Sequence, residues 1–99
     1  MGQRKYPPLT PSEVIDNLKA LGFRQVRREG SHPHFERAAD GKRPRSIVTV
    51  DMAEKDFGET LIKSMISQSN FKRDEFYGAT KHSARKASVR LFVIAESKS

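Results

Sequence analysis

The spacing of apolar residues changes along the chain, and each change marks an element. Val14, Ile15, Leu18 and Leu21 recur at helical spacing and form one stripe. Thr10-Pro11-Ser12-Glu13 stands before them as a capping box with proline at the first helical position. Gly22 suits the left-handed residue just past a helix end, and Phe23 can then fold back onto Leu18. Burying each such side chain is worth roughly 1.5–3 kcal/mol before entropy is charged. The pattern predicts a first helix with one core face.

Three strand-like runs follow. Arg24–Glu29 is the first, with Val26 as its inward anchor, and Gly30-Ser31 is a turn. His32–Arg37 is the second. A longer basic connection holds Asp40-Gly41, Lys42, Arg43 and Arg45. Ser46–Asp51, SIVTVD, is the third, with the β-branched character of Ile47, Val48 and Val50. A second helix is expected from near Asp56, where Asp56 and Glu59 repeat the capping-box logic. Phe57, Leu61, Ile62, Met65 and Ile66 form its apolar stripe, and Asn70 ends it. Phe71 and Phe76 bracket KRDE, a short helical piece. The closing SVRLFVIAE has strand-like content and no assigned place. Phe23, Phe35, Phe57, Leu61 and Ile66 read as core.

The expected fold is therefore α+β, in the order α-β-β-β-α: a three-stranded antiparallel sheet with two helices on one face, resembling the double-stranded-RNA-binding-domain architecture. The other sheet face would be polar and open to water. Residues 1–9 read as a basic N-terminal arm carrying Arg4 and Lys5 and stiffened by Pro7-Pro8. Residues 10–77 read as the folded domain, and residues 78–99 as a basic C-terminal extension of unassigned structure.

Composition narrows the chemistry. With 99 residues, of which 35% are apolar, the core is thin, and a site is expected as a surface groove rather than a deep cavity. Lys and Arg total 19 against 12 Asp and Glu, a net charge of +7. That excess favours a polyanionic partner: nucleic acid, an anionic membrane or an acidic protein. A merely soluble basic domain is the plainer alternative. The chain has no cysteine, which excludes disulfide scaffolds and zinc–thiolate sites. No apolar run approaches a membrane span, and MGQRKYPPLT has no secretory h-region, so a cytoplasmic location is expected.

The stretch GSHPHFER, Gly30–Arg37, carries the candidate chemistry. If Phe35 points into the core, strand alternation puts His32, His34 and Glu36 together on the open face. Pro33 points with Phe35 and lacks an amide donor, which suggests an edge strand. Three readings compete for the histidines. They decorate a strand. They hold a metal, which needs further ligands such as Asp51 or His82 that no spacing demands. Or they perform acid–base chemistry on a bound anion, since imidazole titrates near neutral pH. On a basic surface that anion is a phosphodiester, and RNA brings its own nucleophile in the 2′-hydroxyl. Nearby Arg or Lys would stabilise the crowded phosphate. Ser31 as a nucleophile has no visible activating partner.

The segments VIDNLKALGF, VRREGSHPHF, SIVTVD, FGETLIKSMI and DEF resemble the HicA toxin family, from about Ser12 to Tyr77. The most specific element is Gly-Phe followed by Gly-Ser-His. The resemblance implies a type II toxin–antitoxin toxin with a double-stranded-RNA-binding-like fold over residues 10–77. It implies an mRNA interferase: a metal-independent endoribonuclease, a hydrolase of phosphodiester bonds needing no cofactor. Its catalytic histidine falls on His32, with Gly30 and Ser31 shaping the turn and His34 as possible support. The implied partners are mRNA and a HicB-type antitoxin that covers the active site, with no membrane. Arg27, Arg28, Lys42, Arg43 and Arg45 are the RNA-contact candidates as a group. The chain departs from the family in two places. Val48-Thr49-Val50-Asp51 stands where members often read Val-Pro-Val-His, and the Gly-Thr-Leu helix opening is spread as Gly58-Glu59-Thr60-Leu61. The missing third-strand histidine motivates the alternative, a non-catalytic RNA-binding module on the same fold.

Overall fold

The computed structural model describes residues 5–94; Arg4 of the arm and Ala95-Glu96 of the closing run lie outside the described residues. The first helix, α1, spans Pro11–Ala20. Its capping box forms in both directions: Thr10 N–H donates to Glu13 Oε1 at 2.9 Å, and Glu13 N–H to Thr10 Oγ1 at 3.2 Å. The helix closes as expected. Gly22 takes φ +98°, Gly22 N–H bonds Lys19 O at 3.0 Å, and Phe23 N–H bonds Leu18 O at 2.9 Å.

The strands are β1 (Arg24–Glu29), β2 (His32–Arg37) and β3 (Ser46–Thr49), antiparallel in the order β1-β2-β3. Gly30 at φ +61° opens the two-residue hairpin, the sign that a type II′ turn needs at its first central position. The fold is the α+β, three-stranded architecture expected from the sequence.

Two strand expectations need correction. Val26 is not an inward anchor; it is 40% exposed. Gln25 pairs Phe35 while Arg27 pairs His34, so Val26 is the extra residue of a β-bulge, and alternation breaks there. Pro33 is not on an edge strand, because β2 is central. Its carbonyl accepts Val50 N–H at 3.1 Å. In that hydrogen-bonded pair only one of the two possible bonds can form, since proline has no N–H. The deficit falls where β3 ends, at Thr49 rather than at Asp51 as expected.

Helix α2 spans Glu59–Ser69 with Gly58 as its N-cap, and no side chain caps it. It therefore starts later than the expected Asp56. Phe57 N–H bonds Leu9 O at 2.8 Å in an antiparallel bridge, which holds residue 57 extended and buries its ring. Asn70 ends the helix at φ +62°, as expected. Ile62, Met65, Ile66 and Ser69 form the buried face. Leu61 is not core; it sits about 90° from the centre of that face and is 45% exposed.

Two further helices follow, α3 (Arg73–Tyr77) and α4 (Lys81–Ala87). The chain then turns back over α3, where Phe92 N–H bonds Gly78 O at 2.7 Å. A Cβ on Gly78 would lie 2.5 Å from Arg90 O, so only glycine permits this approach. One core joins the layers, with Leu9, Leu18, Phe35, Val48, Ile62 and Phe76 buried together. Residues 5–9 belong to the packing: Leu9 is buried, and Tyr77 O–H donates to Pro7 O at 2.8 Å. Burial pushes the Tyr77 phenol above its ordinary range.

Helix α4 is tied to α1 by polar contacts. Asn17, fully buried on the inner face of α1, donates from Nδ2 to Ser83 Oγ at 2.9 Å. Its Oδ1 accepts Thr80 Oγ1–H at 2.7 Å. Glu13 receives Lys86 Nζ at 3.0 Å and faces His82 Nε2. Partial burial raises the Glu13 carboxyl, but bonds from the Thr10 backbone, Lys86 and His82 outweigh it and hold the group below its usual value.

Candidate active site on the open sheet face

The register of β2 on β3 builds the site. His34 pairs Thr49 and Phe35 pairs Val48. Two further bonds, Val50 N–H to Pro33 O at 3.1 Å and Met52 N–H to Ser31 O at 2.7 Å, extend the same register past the strand end. His32 and Asp51 therefore face each other as a non-hydrogen-bonded pair, the geometry that brings side chains closest. His32 Nε2 lies 3.6 Å from Asp51 Oδ2.

Phe35 is buried, and the alternation it sets holds: His32, His34 and Glu36 share the open face. The two histidines differ in environment, however. The His32 side chain is 50% exposed, at the tip of the hairpin. The His34 side chain is only 14% exposed, so it is not the exposed neighbour expected from alternation alone. Its Nδ1 pairs Thr49 Oγ1 at 2.8 Å and its Nε2 pairs Glu29 Oε1 at 3.3 Å. Both ring nitrogens of His34 are occupied by neighbours from the flanking strands. A central strand receives side chains from both sides, and that closes over it.

The Asp51 side chain has two contacts besides its place opposite His32. Oδ1 accepts Ala53 N–H at 2.9 Å, which holds the turn after β3, and meets Ser31 Oγ at 3.4 Å. Ser31 is thus tied to the same carboxylate that faces His32. Gly30 shapes the turn with its positive φ and accepts Arg28 Nε–H at 2.8 Å.

The five basic candidates fall into two groups. Arg27 and Arg28 lie on β1 beside the hairpin, and Arg27 stands 3.8 Å from Glu29. Lys42, Arg43 and Arg45 follow the far end of β2, roughly 17 Å along the strand from His32. Arg43 is engaged: its guanidinium forms two 3.0 Å bonds with Glu75, donates to Asn70 O and lies 3.9 Å over the Phe71 ring. Arg45 pairs with Glu36 on the open face. Lys42 is exposed.

The partnership of His32 with Asp51 escaped sequence reasoning, which treated Asp51 only as a conceivable metal ligand or as a lost histidine. Adding the register sum of the pairs 34–49 and 35–48 gives it at once, but that sum is unknown until the strands pair. Among the described residues, no group of three or more His, Asp or Glu side chains converges as a metal site.

The class is now defined: a double-stranded-RNA-binding-domain-like α+β protein with an imidazole–carboxylate pair on the open face of its sheet. A family model described as the HicA toxin of bacterial toxin–antitoxin matches residues 11–71, more than half of the chain. The chain belongs to this HicA toxin family, so its role is that of a toxin whose counterpart is an antitoxin. The matched span covers α1 to α2 and stops before α3. No curated protein matched the chain, and no solved structure did. No helix among the described residues is long and apolar enough to cross a membrane.

Proposed function

We propose that this toxin is an endoribonuclease that cleaves mRNA, with His32 as its acid–base group. The observation that carries the reading is the His32–Asp51 pair, a half-exposed imidazole with a carboxylate 3.6 Å from Nε2. With Nε2 toward Asp51, Nδ1 is the nitrogen left for substrate. It takes the proton of a 2′-hydroxyl, whose oxygen attacks the adjoining phosphorus. The bond to the 5′-oxygen breaks, and that oxygen takes a proton from water as it leaves, while the protonated His32 returns its proton to solvent. The products are a 2′,3′-cyclic phosphate and a 5′-hydroxyl. Asp51 orients the imidazole and steadies its charge once protonated, the role a buried carboxylate plays beside a catalytic histidine elsewhere. Because the nucleophile is internal to RNA, this route needs no metal. Arg27, Arg28, Lys42 and Arg45 are the exposed RNA-backbone candidates, whereas Arg43 is held by Glu75. A HicB-type antitoxin covering this face would block the reaction, and the cytoplasm is where mRNA is met.

The second reading is a non-catalytic RNA-binding module. It is favoured by Asp51 itself, a carboxylate at a place where a phosphate would approach. Incubation of the purified chain with labelled mRNA separates the two. Cleavage ending in cyclic phosphate, undiminished by EDTA and lost in His32→Ala, supports the nuclease. Binding without cleavage, with a log–log salt slope of about −0.7 per phosphate contacted, supports the module and removes the nuclease reading.

A further inference from the structure

Beside Asp51 the surface sinks into a pocket of about 180 Å³ between the end of β3 and the flank of α2. Phe57 and Met65, both buried, form its floor. Leu61, Ser64 and Gln68 form the helical wall, on one flank because residues three and four apart are neighbours on a helix. The exposure of Leu61, unexplained by the core, is accounted for here: it is the apolar side of a recess. Asp51 belongs to both places, lining the pocket and facing His32. Asp51 thus joins the pocket to the place of the proposed scissile phosphate.

We propose that the pocket receives the unpaired base beside the scissile phosphate and that Gln68 reads its edge. The proposal rests on the nuclease reading above. The volume lies below the ~300–1,000 Å³ of sites that enclose a drug-sized ligand, which suits one planar ring system and not a whole nucleotide. Leu61 and Met65 offer apolar contact for the ring faces. Gln68 offers a donor and an acceptor, and Ser64 a hydroxyl. Asp51 and Glu54, also on the rim, only accept when ionised. They repel phosphate and favour a base edge that bears an amino group. Adenine, cytosine and guanine have one; uracil has none, and its single N3–H donor lies between two carbonyl oxygens that the carboxylates repel. Reading single-stranded bases by ring contact and edge hydrogen bonds is the usual way proteins select RNA sequence.

The test uses the full chain. Cleavage of an RNA pool of randomised sequence, followed by sequencing of the new ends, should show uracil depleted at one position next to the cut. Gln68→Ala should relax that preference by on the order of 10-fold, and Leu61→Ala should raise KM more than it lowers kcat. In parallel, AMP and UMP are titrated against the wild-type chain by NMR; AMP should shift the Gln68 side-chain amide more than UMP does. Cleavage with no base preference, or with one that Gln68→Ala leaves intact, overturns the pocket and spares the nuclease reading. If AMP shifts Gln68 but no RNA is cut, the pocket stands and the nuclease reading falls. If neither occurs, both fall.

Discussion

Asp51 faces His32 from the neighbouring strand at 3.6 Å while its other oxygen holds the Ala53 N–H at 2.9 Å. One carboxylate thus joins the candidate catalytic group to the turn that ends β3. Asp51→Asn keeps an acceptor for Ala53 and removes the charge beside His32. An ion pair this open to water is worth up to about 1 kcal/mol, so kcat for RNA cleavage should fall about 2–5-fold with KM little changed. His32→Ala should fall further, by ~10²–10⁴. Equal kcat in Asp51→Asn and wild type would leave Asp51 with the turn alone.

Arg43 and Lys42 should separate a structural cation from an open one. Arg43 is mostly buried between Glu75 and the Phe71 ring. Arg43→Ala leaves the Glu75 carboxylate without the Nη2 group that both its oxygens accept from and should cost ~1–3 kcal/mol in denaturant unfolding. Lys42→Ala should stay within about 0.5 kcal/mol and show its effect, if on RNA, as a weaker salt dependence of binding.

Asn17, though polar, should contribute to folding from its buried place on α1. Asn17→Ala strands the hydroxyls of Thr80 and Ser83, which it bonds at 2.7 and 2.9 Å. A loss of ~1–3 kcal/mol is expected, measured by chemical denaturation. Ser83→Ala in the Asn17→Ala background should cost little more, because the two share one interaction.

The acid side of the stability profile should carry the mark of Asp40. Backbone N–H groups of Arg43 and Lys42, with the Arg37 guanidinium, pull its carboxyl down to about 2 from an ordinary 3.8. A depressed folded-state value means the stabilisation is complete above pH 3.8 and fades as the pH falls toward 2. Melting curves between pH 5 and pH 2 should show wild type losing more than Asp40→Asn. Parallel curves would remove Asp40 from the acid transition.

Locally encoded features were legible in the sequence. The capping box at Thr10 and Glu13, the Gly22 close, the Gly30-Ser31 turn and the Asn70 stop each depend on residues within one turn of helix or hairpin. The expectations that failed depended on distant partners. Asp56 could cap a helix, but Leu9, far back in the chain, captures Phe57 into a bridge first. Val26 has an apolar side chain at an inward parity, but the bulge resets the parity of β1. Helix α4 carries no stripe wide enough to announce itself; it is held through Asn17 and Glu13, which sit in α1.

The sequence by itself determined that His32 and His34 share a face, because Phe35 between them must be buried and a strand has a period of two. It also determined that the face is open, because the apolar residues suffice to cover one side of a thin sheet. Only the tertiary structure decided which histidine stays accessible and what stands beside it. The connection from β2 to β3 is long and irregular, so no turn geometry sets their register. Pairing does, and it places Asp51 opposite His32 while Thr49 and Glu29 close over His34.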